Sequence, residues 1–466
     1  MVSRSKKKTS RKINALWLVT AVILLGATGQ LRVQAQNSQP ASLTLQQAIG
    51  IALDKNPHAA EAQAGVKEAK AGVSMARTGL LPHFTFSEDI SRGNDPVYAF
   101  GTRLRQQRFS QSDFALNALN KPTPIGNFAT GASGSWMLFN WFGTQNQIKS
   151  ARFAAASAAS MSDEAQQSIV LGVVQAYQSV LYAQRQIAVA RHEVATAQAL
   201  LHDAQTRVKA GLAVDSDVLS AQVNLSEREQ ELIAAEGNAD AAWAALLSAM
   251  GVEDLPPATL KPLQARSYPD GVLADDVASA LKARPDLNAL RQQHSAQTAA
   301  VSAARADFYP TVSAYGNWET DRDTFAGNGG NHWVAGVQLN LDILPLGKRA
   351  HLLQQEAARQ RTEAQERAGE QQIRLAVSQA WTQHRTAERM VQTARAAMEQ
   401  SAESLRIVQN RYRAGLATIT DMLRAEDAQR RSQNDYWRAA YQNTVAYANL
   451  LYATGTLTPN SAENLQ

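Results

Sequence analysis

The chain has 466 residues and not one cysteine. Disulfides, thiolate metal sites, a cysteine nucleophile and the lipidated N-terminal Cys of bacterial lipoproteins are thereby excluded. Histidine is sparse too. Its eight copies are scattered without metal-ligand spacing, so no metal and no cofactor are expected. "GNGGN" (Gly327 to Asn331) lacks the Lys-Ser/Thr that a phosphate loop needs. "GASGS" (Gly131 to Ser135) ends in Ser where a nucleophile elbow has Gly. Nothing here points to an enzyme.

Long apolar runs are missing after the first 35 residues, so no later segment is expected to cross a bilayer as a helix. The leader itself has a basic start, the apolar run "ALWLVTAVILLGA" (Ala15 to Ala27) and a polar stretch ending in Val33-Gln34-Ala35. That is the build of a secretory signal with cleavage after Ala35; an uncleaved membrane anchor is the other reading. The leader also carries seven Lys/Arg and no acid. Without them the 46 basic residues fall to 39 against 41 acids, a balance of −2. The formal +5 therefore belongs to the leader, and no nucleic-acid partner is expected.

Proline is absent from two stretches, Ile125 to Leu255 and Leu346 to Thr458. Both are rich in Ala, Gln, Glu, Arg and Leu, so they read as helix. From Ile169 to Val208 apolar residues recur at alternating intervals of four and three, twelve positions in all. This is a coiled-coil seam with Val, Ile or Leu at one position and mostly Ala at the other. Adding 204 to each number gives a second seam, Ile373 to Tyr412, with only His384 and Ser401 departing clearly from apolar character. His384 is read as a tolerated polar residue or one turned to water, not as a ligand.

The same offset relates "RVKAGLAVDSDVL" (Arg207 to Leu219) to "RYRAGLATITDML" (Arg411 to Leu423), identical at seven of thirteen positions. Gly211 and Gly415 suit the left-handed residue that stops a helix, with Leu212 and Leu416 as the hydrophobic contact that follows. Ser216 and Thr420 suit N-caps, and Asp217 and Asp421 suit the positive end of the next helix. Each phrase is thus a reversal between antiparallel helices. The chain builds one long hairpin twice.

Upstream, Asn56 to Pro82 aligns without a gap with Arg284 to Pro310 at an offset of 228, so the first half carries 24 additional residues between Pro82 and Asn140. The intervals that follow read as strand pairs. "HWVAGVQLNL" (His332 to Leu341) and "PTVSAYGNW" (Pro310 to Trp318) alternate apolar with polar; "HFTFSEDIS" (His83 to Ser91) and "TGASGSWMLF" (Thr130 to Phe139) do so more weakly. Arg92 to Ala129 reads as a long basic loop, and Glu319 to Asn331 as a short Gly-rich one. Strands of about 9–11 residues fit an outer membrane, where an open sheet edge cannot survive in lipid. Four strands cannot close a pore, so several identical chains must share one barrel.

The expected division follows. Residues 1–35 are the signal. Residues 36–255 are the first repeat, with a helix, a strand pair at 83–139 and a helical hairpin at 143–250. Residues 256–275, rich in proline, are a linker or equatorial segment. Residues 276–458 are the second repeat, with its strand pair at 310–341 and its hairpin at 347–453. Residues 459–466 are a tail.

On "LTLQQAIGIALDKNP" (Leu43 to Pro57), "NDPVYAFGTRLRQQRF" (Asn94 to Phe109), "ALKARPDLNAL" (Ala280 to Leu290) and the two Ala-Gly-Leu hairpins, arranged as a twofold repeat, the chain resembles the TolC-type outer membrane efflux protein family. The resemblance implies an α+β membrane protein of the Gram-negative outer membrane: a homotrimer with a twelve-stranded barrel, four strands per chain, over a periplasmic α-barrel. It implies a passive exit duct for drugs, toxic compounds or metals, served by an inner-membrane pump and a periplasmic adapter. It further implies adapter contact at Gly211, Leu212, Gly415 and Leu416, and a periplasmic gate led by Asp421 with Asp217 and Tyr412. Arg424 stands where many members carry a second carboxylate. Type I protein secretion shares the family and remains open. A structural coiled-coil protein without a channel explains the rods but not the strands.

Overall fold

The computed structural model describes residues 43–255, 259–261 and 271–461. The leader with its expected cleavage at Ala35, the four prolines of the equatorial segment and residues 462–466 lie outside the described residues. The first half runs α1 (Leu45–Lys55), α2 (Pro57–Thr78), β1 (His83–Gly93), α3 (Pro96–Arg105), α4 (Leu116–Asn120), β2 (Ile125–Phe139), α5 (Gly143–Lys209) and α6 (Asp215–Met250). The second runs α7 (Leu273–Ala283), α8 (Pro285–Ala306), β3 (Thr311–Arg322), β4 (Gly329–Asn340), α9 (Leu346–Arg413) and α10 (Ile419–Ala453).

Local chemistry sets these boundaries. Thr44 and Gln47 form a capping box at the start of α1. Pro57 and Pro285 open α2 and α8 at positions whose missing N–H costs nothing. At 67 and 68 residues, α5 and α9 are each ~100 Å long at 1.5 Å per residue. All twelve seam positions of each rod are buried or half-buried. Of the two readings of His384, it is the tolerated polar residue and not one turned to water: it is buried, and its ring lies 5.3 Å from that of Tyr447.

Each half anchors its rod with a small core at equivalent positions. Ile169 and Val173 pack with α1 and the end of α6; Ile373 and Val377 pack with Ala280, Leu287 and the end of α10. Around the first core, Leu43 forms a parallel bridge with Leu260. The buried Tyr177 hydroxyl lies 2.8 Å from the Leu43 carbonyl and 3.0 Å from that of Lys261, and burial pushes it up to about 12.

The strands form one antiparallel sheet in the order β1-β2-β3-β4. Register places Phe84 opposite Gly134, Ala132 opposite Trp318, and Trp318 opposite Trp333, so these side chains share a face with Val337 and Leu339. Phe84 is 76% exposed and Trp333 77%. The opposite face carries Ser133, Asn317, Glu319, Asp321 and Gln338. An apolar outside and a polar inside are what a lipid-embedded barrel wall requires.

The segment from Arg92 to Ala129 departs from the expected loop. β2 begins at Ile125, pairing with Gly93, and the residues between fold into helices. Asp95 caps α3 by accepting from the N–H groups of Val97 and Tyr98. Three of its five basic residues are neutralised within the chain: Arg103 pairs with Asp113, Arg105 with Glu319 and Arg108 with Asp323. Phe100, Phe109 and Phe114 make edge contacts with one another beneath them. A short sequence window shows mostly the cations, because two of these three acids, Glu319 and Asp323, lie elsewhere in the chain.

Candidate functional site at the hairpin tips

Both repeated phrases stop their helices in the same way. Gly211 has φ +71° and Gly415 φ +74°, where an L side chain is strained. The Leu212 N–H donates to Arg207 O at 2.8 Å and the Gly211 N–H to Val208 O at 3.0 Å. Leu416 to Arg411 O and Gly415 to Tyr412 O repeat the pattern at 2.8 and 3.0 Å. These paired bonds are Schellman motifs. Their usual apolar contact is missing, contrary to expectation: Leu212 is 76% exposed and Leu416 70%.

The N-caps lie two residues earlier than Ser216 and Thr420. α10 is capped by Thr418, whose Oγ1 accepts from Asp421 N–H at 3.2 Å. The Asp421 carboxylate accepts in return from Thr418 N–H at 3.0 Å and Thr418 Oγ1 at 2.7 Å. Thr418 aligns with Val214 in the first repeat, which offers no side-chain cap. The Thr418 hydroxyl and N–H hold Asp421 below the usual carboxylate range, with Arg424 and Arg411 adding to the effect. Asp421 and Arg424 are both exposed.

Tyr412 and Asp217 belong to a second group. Tyr412 is buried at the end of α9, packed with Leu200, Ala204 and Ala221 of the other hairpin and with Ile419 and Met422. The Arg207 guanidinium lies 4.5 Å from its ring centre and bonds Asp203 at 2.9 Å. Burial raises the Tyr412 hydroxyl; Arg207 opposes this, and Asp203 and Asp217 reinforce it.

Farther up the helices stands a buried charge network. Glu193 of α5, Arg228 of α6 and Glu426 of α10 are all buried. Arg228 reaches Glu231 at 2.9 Å and Asp427 at 3.7 Å, and Arg430 reaches Asp427 at 2.7 Å and Glu231 at 3.3 Å. Burial, then the like charge of Glu193, pushes Glu426 up to about 7, with Arg228 opposing. Glu193 is raised by its own burial. Arg207, Asp203 and this network were absent from the expected gate. Arg207 had a signal, being identical in both copies of the repeated phrase; Glu193, beside the first seam, and Glu426, on α10, carry none.

The model of the family described as outer membrane efflux protein matches residues 48–252 and 277–456. The chain belongs to that family. The outer membrane efflux protein BepC of Brucella suis is 26% identical over 451 residues, covering 95% of this chain and 90% of its own length. The alkaline protease secretion protein AprF of Pseudomonas aeruginosa is 24% identical over 462 residues, covering 95% and 88%. Among solved structures, the Campylobacter jejuni CmeC outer membrane channel superposes with a TM-score of 0.77 at 16% identity, covering 90% of this chain and 88% of its own.

As an outer membrane efflux protein, the chain supplies four strands to a trimeric twelve-stranded barrel, above a periplasmic α-barrel built from its hairpins. Its unpaired edge strands, β1 and β4, are thereby closed by neighbouring copies. The tips therefore ring the inner end of the tunnel, farthest from the sheet. Each copy brings there one exposed carboxylate, Asp421, one exposed Arg424 and two exposed leucines.

Proposed function

We propose that this efflux protein is the passive exit duct of a tripartite system that exports small molecules, docked at its tips to a periplasmic adapter and driven by an inner-membrane pump. The exposed pair Leu212 and Leu416 carries this reading. Two leucines held in solvent by Schellman turns, with their usual intrachain contact unmade, are apolar surface awaiting a partner. With Gly211 and Gly415 they form the adapter contact.

The same reading makes Asp421 the ring carboxylate of the gate. Three identical carboxylates around a narrow axis attract cations and repel one another. Arg424, one turn on, pairs with Asp421 of a neighbouring copy and pins the mouth shut. Tyr412, with Arg207 over its ring, holds the two hairpins of one copy together behind that ring, and Asp217 adds its charge nearby. Single-channel recording on the trimer in planar bilayers tests the gate. Arg424→Ala raises conductance and sensitivity to cation block; unchanged values in both would remove Arg424 from it.

Protein secretion is the second reading, favoured by the near-equal match to the alkaline protease secretion protein AprF. Deleting the gene and measuring drug and metal susceptibility beside the secreted proteome separates the two. Wild-type susceptibility with a lost secreted protein would overturn small-molecule export.

A further inference from the structure

At the end of the sheet farthest from the long helices α5 and α9, three side chains converge on the polar, inward face. Glu319 and His332 are direct partners across β3 and β4, and Asp321 follows two residues along β3. One ligand atom from each lies within 4.8 Å of the others. His332 Nε2 stands 3.6 Å from Glu319 Oε1 and 3.6 Å from Asp321 Oδ2. Those separations are too long for hydrogen bonds, and they are the right size for donors about 2 Å from a shared ion.

Asp321 supplies the independent observation. Its side chain is 0% exposed. Oδ1 accepts from Asn127 Nδ2 at 2.5 Å, while Oδ2, the atom turned to His332, has no hydrogen-bond partner. A buried carboxylate oxygen left without a donor is costly, and it calls for a cation. Its neighbour across the ladder is Gly330, where a Cβ would strike the Arg105 carbonyl, so the backbone that closes over the carboxylate must be glycine there. The Gln106 side chain seals the far side by donating to Gly126 O, Asn127 Oδ1 and Arg322 O at 2.8, 3.0 and 3.2 Å. His332 stays half-exposed toward the lumen, which leaves an entry path.

We propose that Glu319, Asp321 and His332 bind a divalent transition-metal ion of the zinc class at the outer mouth of each protomer. Two carboxylates and one imidazole form a mixed oxygen and nitrogen set suited to such an ion, with a remaining position for water. Calcium and magnesium prefer oxygen alone, and calcium needs six or more ligands. Spacing along the chain conceals the site because strand register brings His332 to Glu319. Arg105 competes for it, standing 3.4 Å from Glu319 Oε1. A bound ion would bolt β3 to β4 beneath the inward-folded α3 segment.

The test uses the full mature trimer in detergent, purified without a histidine tag and freed of metal. Zn2+ is titrated calorimetrically, and Co2+ is followed by its visible absorption. Wild type binds one Zn2+ per chain in the micromolar range or tighter, and Ca2+ and Mg2+ do not displace it. His332→Ala removes the Co2+ band and weakens Zn2+ by at least about tenfold. Arg105→Gln, which frees Glu319, binds at least as tightly as wild type. The proposal is overturned by any one of four results: no Zn2+ binding to wild type, equal binding by His332→Ala, weaker binding by Arg105→Gln, or displacement by Ca2+.

Discussion

Replacing Glu426 by Gln should make the helical tunnel more stable at neutral and alkaline pH, and less sensitive to pH. The carboxyl is 7% exposed and faces Glu193 from α5 and Arg228 from α6, within a network that also holds Glu231 of α6 and Asp427 and Arg430 of α10. Its protonation is raised from 4.5 to about 7. A carboxyl raised in this way favours the folded state fully below about 4.5, and that advantage is lost as pH rises through 7. At 1.4 kcal/mol for each pH unit, the raised Glu426 costs about 3 kcal/mol per chain at pH 8, where it is ionised, and about 1 kcal/mol at pH 5, where folding must protonate it. Glu426→Gln removes that penalty. Thermal melts of the trimer followed by far-ultraviolet circular dichroism should therefore show a clear gain at pH 8 and a small one at pH 5. Glu193 is also raised by burial, so the two carboxyls titrate as a coupled pair. Glu193→Gln should flatten the wild-type profile part of the way. Parallel pH profiles for wild type and Glu426→Gln would refute this account of the network.

Gly415→Ala meets no neighbouring atom and acts only through its left-handed φ, so it should cost about 1 kcal/mol and lower the melting temperature without clashes. A melt indistinguishable from wild type would contradict the turn assignment. Tyr412 meets Arg207 through its ring, so Tyr412→Phe should keep the wild-type conductance while Tyr412→Ala raises it. Equal effects of the two substitutions would move the role to the hydroxyl. Leu212→Ser combined with Leu416→Ser should leave trimer and melting temperature intact but abolish export in cells; full export would dismiss the leucines as the adapter contact.

Much of the architecture was legible in the one-dimensional pattern. A seam of period 3.5 predicts a rod wherever it runs, because helix geometry is local. The repeated Ala-Gly-Leu phrase predicted its turns for the same reason: a left-handed glycine and the bonds around it involve only neighbours in the chain. The alternating strands and their inability to close a pore alone followed from backbone hydrogen bonding, which no side chain can evade. What only tertiary structure decided are the meetings of distant residues. Arg105 and Arg108 look like a basic loop until Glu319 and Asp323 are seen beside them. Glu193 and Glu426, 233 positions apart, become a pH-sensitive pair only because α10 packs against α5. Periodicity records what a residue does to its own backbone; charge and burial depend on which other segment arrives, and that is settled in three dimensions.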